Sequence, residues 1–205
     1  MKNFVKLTVV ISVLVILGAL AALMTISCQA VTYNPEEDYL DRMIECVISD
    51  RVADGRTYAE YRQRKIKELN LDYPEIEFDS LYWLAHGMYA EAGSYWIEDD
   101  FQKEVGSVIL NRVNSPEFPD TCKSVILQKG QYAAWIKDKG AHKTITPDRR
   151  TVENAAWLLA NGSVLPNTVV FQANFPQGSG IYKETEVKKL GTTYFCYSNY
   201  PEKYS

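Results

Sequence analysis

The sequence predicts a mainly helical α+β protein, with a C-terminal β-hairpin and, ahead of everything else, one apolar helix that is either a transmembrane anchor or a signal segment. Three observations predict it. An uncharged run at residues 7–28 follows Lys2 and Lys6. From Asn34 to Gly162, apolar residues recur at helical spacing between capping and breaking residues. Near the C-terminus that spacing gives way to β-branched and aromatic runs at 168–172 and 194–197. A chain of 205 residues fits one domain plus a modest appendage. Its 46% hydrophobic and 23% charged residues exclude global disorder. With 22 basic against 26 acidic residues there is no positive field of the kind nucleic acid requires, so no nucleic-acid partner is expected.

The run at 7–28 is long enough, at about 1.5 Å per residue, to match a hydrocarbon core of about 30 Å. Its cationic start and the acidic Glu36, Glu37 and Asp38 predict a cytoplasmic N-terminus, with all later residues exported and the membrane a partner through this segment. Cleavage after Ala30, behind the small residues of Cys28-Gln29-Ala30, is the rival reading. Lipidation of Cys28 is a third, although Thr25-Ile26-Ser27 departs from a lipobox. Each places the working part outside the cytoplasmic membrane. The expected organisation is a leader at 1–30, a helical stalk and linker at 31–78 and a catalytic domain at 79–205.

Asn34-Pro35-Glu36-Glu37 opens the first helix, with Leu40, Met43, Ile44 and Val47 on one face. Asp54-Gly55 is expected to interrupt, and a polar helix follows over 57–70 whose RQRKIK run reads as a solvated face. Residues 71–77 form the linker. Asp79 or Ser80 can cap the next helix, where Leu81, Leu84, Ala85 and Met88 make a buried stripe. On that helix Glu91 falls about 80° from Leu81 and about 20° from Leu84, at the edge of the apolar stripe. Gly93-Ser94 ends the helix, so Glu91 occupies its last turn, where the dipole further disfavours an ionised carboxylate. A helix over 99–113 follows, with Gly106-Ser107 permitting a close neighbour; a shorter one, capped by Asp120-Thr121, runs to Gln128. The last spans Asp148 to Asn161-Gly162. Gly178 and Gly180 mark a long connection between the two strands of the hairpin.

Three chemistries compete. A carboxyl held against apolar side chains keeps its proton to higher pH, which suits Glu91 to act as a general acid on a glycosidic oxygen. Cys122, at a helix N-terminus, could be a nucleophile with His142 as its base, the arrangement of a cysteine peptidase. The 14 Tyr and 4 Trp could instead serve a non-catalytic glycan-binding module. No C-x-x-C or H-E-x-x-H spacing occurs, so no metal or cofactor is expected. Cys46, Cys122 and Cys196 allow at most one intramolecular disulfide.

The segments LAHGMYAEAG, VGSVILNRVNSPEFPDTCKSVILQKGQY, LPNTVVFQANFPQGSG and YFCY, in this order, resemble the cell wall hydrolase family of the spore-cortex-lytic (SleB) type. The resemblance covers about 80–198. It implies a lysozyme-like α+β fold, cleavage of peptidoglycan glycan strands, and a catalytic glutamate in Y-A-E-A, here Glu91. Where the family continues E-A-R-G-E, this chain reads Glu91-Ala92-Gly93-Ser94-Tyr95, with acids next at Glu98, Asp99 and Asp100. The family's Gly-x-His-x-Phe is Gly191-Thr192-Thr193-Tyr194-Phe195 here. A second, nucleophilic carboxylate therefore has no counterpart. This favours lytic transglycosylation by Glu91 alone over inverting hydrolysis assisted by one of the three later acids. Gln131, Tyr132, Gln172 and Tyr194 are expected to line the sugar groove, and Asn111-Arg112 to serve the structure.

Overall fold

The computed structural model describes residues 35–132 and 145–204. The segment expected to span the membrane or be cleaved lies outside the described residues. Among the described residues, no helix is long and apolar enough to cross a membrane.

Helix α1, Pro35–Ile48, buries Met43, Ile44, Cys46 and Val47, the face its periodicity predicts. Helix α2, Val52–Glu68, begins earlier than expected and contains Asp54-Gly55 in its first turns. Asp54 suits the positive end of the helix dipole. Gly55 serves packing rather than a turn, since a Cβ there would lie 2.1 Å from the Phe78 ring. Within the basic run, Arg62 is buried and donates to the Pro74 carbonyl at 3.0 Å, tying the irregular linker onto α2. These helices are not a stalk: Met43, Cys46 and Val47 share one core with Leu81, Leu84 and Met88, and Pro35–Ser205 forms one unit. The boundary expected at 78/79 therefore crosses a continuous core.

Helix α3, Phe78–Ala92, follows Glu77 at its N-cap, ahead of the expected Asp79 or Ser80. It is buried around most of its circumference, with Leu81, Leu84, Ala85 and Met88 inaccessible to solvent. Helix α4, Asp99–Val113, crosses it at Gly106, where a Cβ would meet the Met88 sulfur at 2.6 Å and Leu158 at 2.5 Å. Helix α5, Cys122–Ile126, is capped by Thr121 and ends before the predicted Gln128. Helix α6, Arg149–Asn161, is capped by Asp148, which accepts from the Thr151 N–H at 2.8 Å, and stops at Gly162, whose φ is 86°.

Strands β1, Val169–Ala173, β2, Ile181–Val187, and β3, Gly191–Tyr197, form an antiparallel sheet in the order β1-β3-β2. The two strands of the expected hairpin do pair, as β1 with β3, but their connection is not simply a loop: it carries β2, which pairs with β3 from the other side. The sheet closes a second apolar cluster, in which Ala92, Phe101, Val105 and Val108 of the helices meet Val169 and Phe195. Cys46, Cys122 and Cys196 are all buried free thiols, so the single permitted disulfide is not formed.

Candidate active site

Where the C-terminal turn of α3 faces the end of α4 and the edge of β1, a cavity of about 480 Å³ opens. Helices contribute Glu91, Val108 and Arg112, and the segment after α5 contributes Gly130, Gln131 and Tyr132. From the sheet side come Phe171 and Gln172 of β1, Gln177 and Gly178 of the following loop, and Asn199 just beyond β3.

Glu91 is the penultimate residue of α3. Its position at the edge of the apolar stripe leaves it half-buried. Burial raises its pKa above the ordinary carboxylate range, and the positive Arg112 acts in the opposite direction with smaller effect. Among the described residues, no Lys or Arg comes within ion-pair distance of its carboxylate, nor does any group hydrogen-bond to it. Contrast Glu117, half-buried nearby in sequence to the α4 end, which accepts from the Tyr204 hydroxyl at 2.8 Å and from Ser198. Glu117 is committed to holding the C-terminal segment; Glu91 has no such bond.

The peptide after Glu91 is fixed. Gln102, fully buried in α4, donates to the Ala92 carbonyl at 2.9 Å and to Thr151 at 3.2 Å, while Asn154 donates to the Gln102 carbonyl oxygen at 2.9 Å. This polar layer ties the end of α3 to α4 and α6, satisfying a helix-terminal carbonyl that would otherwise be orphaned.

Asn111 has the structural role expected of it, donating to the Pro166 and Val169 carbonyls at 2.7 and 2.9 Å. Arg112 has that role and a second. Its Nε donates to the Val170 carbonyl at 2.7 Å and its Nη1 to the Tyr132 hydroxyl at 3.5 Å. Its guanidinium carbon lies 5.1, 5.6 and 6.0 Å from the ring centres of Phe118, Tyr132 and Phe171. At 4% exposure it also lines the cavity. Tyr132 is buried, and its hydroxyl is pushed up to about 12, so it stays neutral while it accepts from Arg112.

Of the expected groove residues, Gln131, Tyr132 and Gln172 join Glu91 at the cavity. Tyr194 does not: it stands on the central strand opposite Ala173 and Glu184 and lines no part of the cavity. Nor do the alternative second acids reach it. Glu98 is the exposed N-cap of α4, Asp99 accepts from Asn154 at 3.1 Å, and Asp100 faces solvent beside Lys103. Arg112, Gln177 and Asn199 are not among the expected site residues, and Phe171 is expected only as one of the aromatics of the glycan-binding reading. Only Arg112 and Phe171 carried a sequence signal, one as part of the N-R-V run and the other as an aromatic in a strand. Cys122 is buried, and its thiol is pushed up to about 12, the reverse of the activation expected at a helix N-terminus. His142 lies outside the described residues.

Residues 98–196 match the model of a family described as Cell Wall Hydrolase. The spore cortex-lytic enzyme of Halalkalibacterium halodurans is 31% identical over 116 residues, which is 55% of this chain and 33% of that protein. The chain thus spans about a third of the length of that curated relative. No solved structure matches. The matched span holds every cavity-lining residue except Glu91 and Asn199, which flank it within a few positions. From α4 through the sheet that closes the cavity, the chain is similar to the cell wall hydrolase family.

Proposed function

We propose that this protein cleaves the glycan strand of peptidoglycan, outside the cytoplasmic membrane, between N-acetylmuramic acid and N-acetylglucosamine, with Glu91 as the acid. The carrying observation is a half-buried carboxyl without a hydrogen-bond or ion-pair partner, shifted toward its protonated form and facing a cavity that no second carboxylate lines among the described residues. A lysozyme-like organisation, with helices on one side of the groove and a small sheet on the other, is the reading that accords with this arrangement.

In the proposed reaction the Glu91 carboxyl gives its proton to the bridging oxygen. The bond from C1 to that oxygen breaks, its electron pair leaving with the oxygen, and positive charge develops on C1 and the ring oxygen. Glu91, now a carboxylate, takes the proton of the muramyl 6-hydroxyl as that oxygen bonds to C1, giving a 1,6-anhydro end. One carboxyl serves as acid and then as base, which is why lytic transglycosylation fits this cavity better than double displacement, whose two carboxylates stand about 5–5.5 Å apart. The neutral amides of Gln131, Gln172, Gln177 and Asn199 can pair with sugar hydroxyls and acetamido groups, while Phe171 and Tyr132 offer ring surface.

The test is digestion of purified sacculi followed by mass spectrometry of the new ends. Muropeptides ending in 1,6-anhydromuramic acid are expected. Products bearing only reducing muramic acid would replace transglycosylation by hydrolysis. Products cut only in the stem peptide, or none, would defeat the glycan reading.

A further inference from the structure

Resting on the reading of Glu91 as the acid, the geometry points to Arg112 as a positioning residue: its clamped guanidinium stabilises the Glu91 carboxylate formed when the proton leaves for the glycosidic oxygen.

Three observations carry this. First, Arg112 and Glu91 line the same cavity, and no other charged side chain among the described residues does. The other polar side chains that line the cavity among the described residues are Gln131 and Tyr132 after α5, Gln172 on β1, Gln177 in the loop and Asn199 beyond β3, all uncharged near neutrality. Second, the guanidinium is held in place: its Nε is bonded to the Val170 carbonyl, its Nη1 to the Tyr132 hydroxyl, and the rings of Phe118, Tyr132 and Phe171 pack around it. A charge held in advance and shielded from water acts on a developing charge without reorganising. Third, among the described residues no ion pair or hydrogen bond joins the two, and Arg112 acts on Glu91 through its charge alone. Arg112 is close enough to favour the carboxylate but is not bonded to it, so it does not strip Glu91 of the proton before substrate binds. A direct salt bridge would give a permanently ionised, useless acid; no cation at all would leave the spent carboxylate unsupported in a desolvated site. Arginine suits the task because its fork can hold neighbouring backbone and ring while its charge stays on, which the flexible ammonium of lysine cannot do.

The experiment uses the full chain and its Arg112→Gln and Arg112→Lys variants, with Glu91→Gln as reference. Each is checked for folding by thermal unfolding. Two quantities are then followed with pH: the rate of glycan cleavage on sacculi, and the Glu91 carboxyl by carbon-13 NMR. Wild-type activity is expected to fall on the alkaline side as Glu91 ionises. Arg112→Gln is expected to move that limb and the NMR midpoint upward by about one unit or more, as removal of a nearby opposite charge does, and to lower kcat about 10- to 1,000-fold with KM little changed. Arg112→Lys, which keeps charge but loses the clamp, is expected to fall between. Should Arg112→Gln not fold, Arg112→Lys decides: a raised limb supports the inference, and an unmoved limb and midpoint overturn it. Folded Arg112→Gln with both midpoints unmoved overturns it also, whatever its rate, because loss of rate alone is what a purely structural arginine would give. If Glu91→Gln retains wild-type cleavage, the assignment of the acid fails instead, and the NMR midpoint of Glu91 still reports whether Arg112 acts on it.

Discussion

The two walls of the cavity are made of different materials. The helical wall carries the only two charged groups that line the cavity among the described residues, Glu91 and Arg112, on α3 and α4, elements locked by Gly106 packing and by the buried Gln102, Asn154 and Thr151 layer. The sheet-and-loop wall carries uncharged groups: Phe171, Gln172, Gln177, the Gly178 backbone and Asn199. Proton transfer tolerates little displacement, and the proposed acid sits on a helix held by this packed layer. Sugar recognition needs donors and acceptors that adapt, and these sit on a strand edge and on loops. The difference suggests that the helical wall governs kcat and the opposite wall KM.

The largest expected effect tests the helical wall. Glu91→Gln keeps size and hydrogen bonding but removes the transferable proton, so cleavage of sacculi should fall by about 10² to 10⁴ while the fold persists. An undiminished rate would move the chemistry elsewhere. On the other wall, Gly178 has a φ of 62°, and a Cβ there would lie 1.8 Å from the backbone oxygen of Tyr197. Gly178→Ala should therefore displace the loop that the Ser179 N–H and the Gly180 carbonyl pin to Tyr197, with a loss of about 1–3 kcal/mol in stability and a raised KM. If kcat fell and KM did not, the division of labour between the walls would be wrong.

Smaller effects follow from single amides. Gln177→Ala or Asn199→Ala removes one polar contact each, about 0.5–1.5 kcal/mol net, so KM should rise a few-fold with kcat nearly intact. Asn199 is the sharper probe because its neighbour is fully committed: the Ser198 N–H bonds Thr168, its carbonyl accepts from Ser179, and its hydroxyl serves Glu117 and Tyr200. That anchoring holds Asn199 at the cavity without using its own amide. Steady-state kinetics on solubilised glycan would separate the two constants.

The helical wall was readable from sequence because a 3.6-residue period, Asp148 and Thr121 as caps, and Gly162 as a stop are local signals. Glu91 could be placed at a stripe edge from spacing alone. The opposite wall depends on tertiary pairing. Strand β2, with Lys183, Glu184 and Glu186 in seven residues, is exposed along most of its length and shows no apolar alternation; hydrogen bonding to β3 is what makes it a strand. Tyr194 was expected in the groove, but the irregularity between Val169 and Phe171 resets which β1 residues meet β3. A change of phase by one residue moves a side chain to the other face, and nothing in Tyr-Phe-Cys-Tyr announces it. Gln177 and Asn199 come together only because the loop after β1 folds back onto Tyr197. Arg112 was assigned to structure because a buried arginine commonly serves it; its second exposure, to the cavity, depends on Phe171 and Tyr132 arriving from distant parts of the chain.

The smallest predicted effect concerns stability and bears on why Glu91 is tolerated where it is. Burial raises its folded-state pKa above the unfolded value, so the folded chain holds that proton more tightly than the unfolded one. The stabilisation linked to the proton is complete below the unfolded pKa, about 4.3 for a glutamate, and is lost as pH rises through the raised folded value. Glutamine has no such proton to lose. Wild type and Glu91→Gln should therefore unfold at nearly the same temperature in acid and diverge as pH rises toward neutrality, the variant becoming the more stable. Calorimetric scans of both proteins across that range would check it. A gap independent of pH would mean that Arg112 cancels the cost of burying the carboxylate, and a variant growing less stable toward neutral pH that Arg112 more than offsets it. Glu91 would then be a structural acid, and the helical wall would lose its claim to the chemistry.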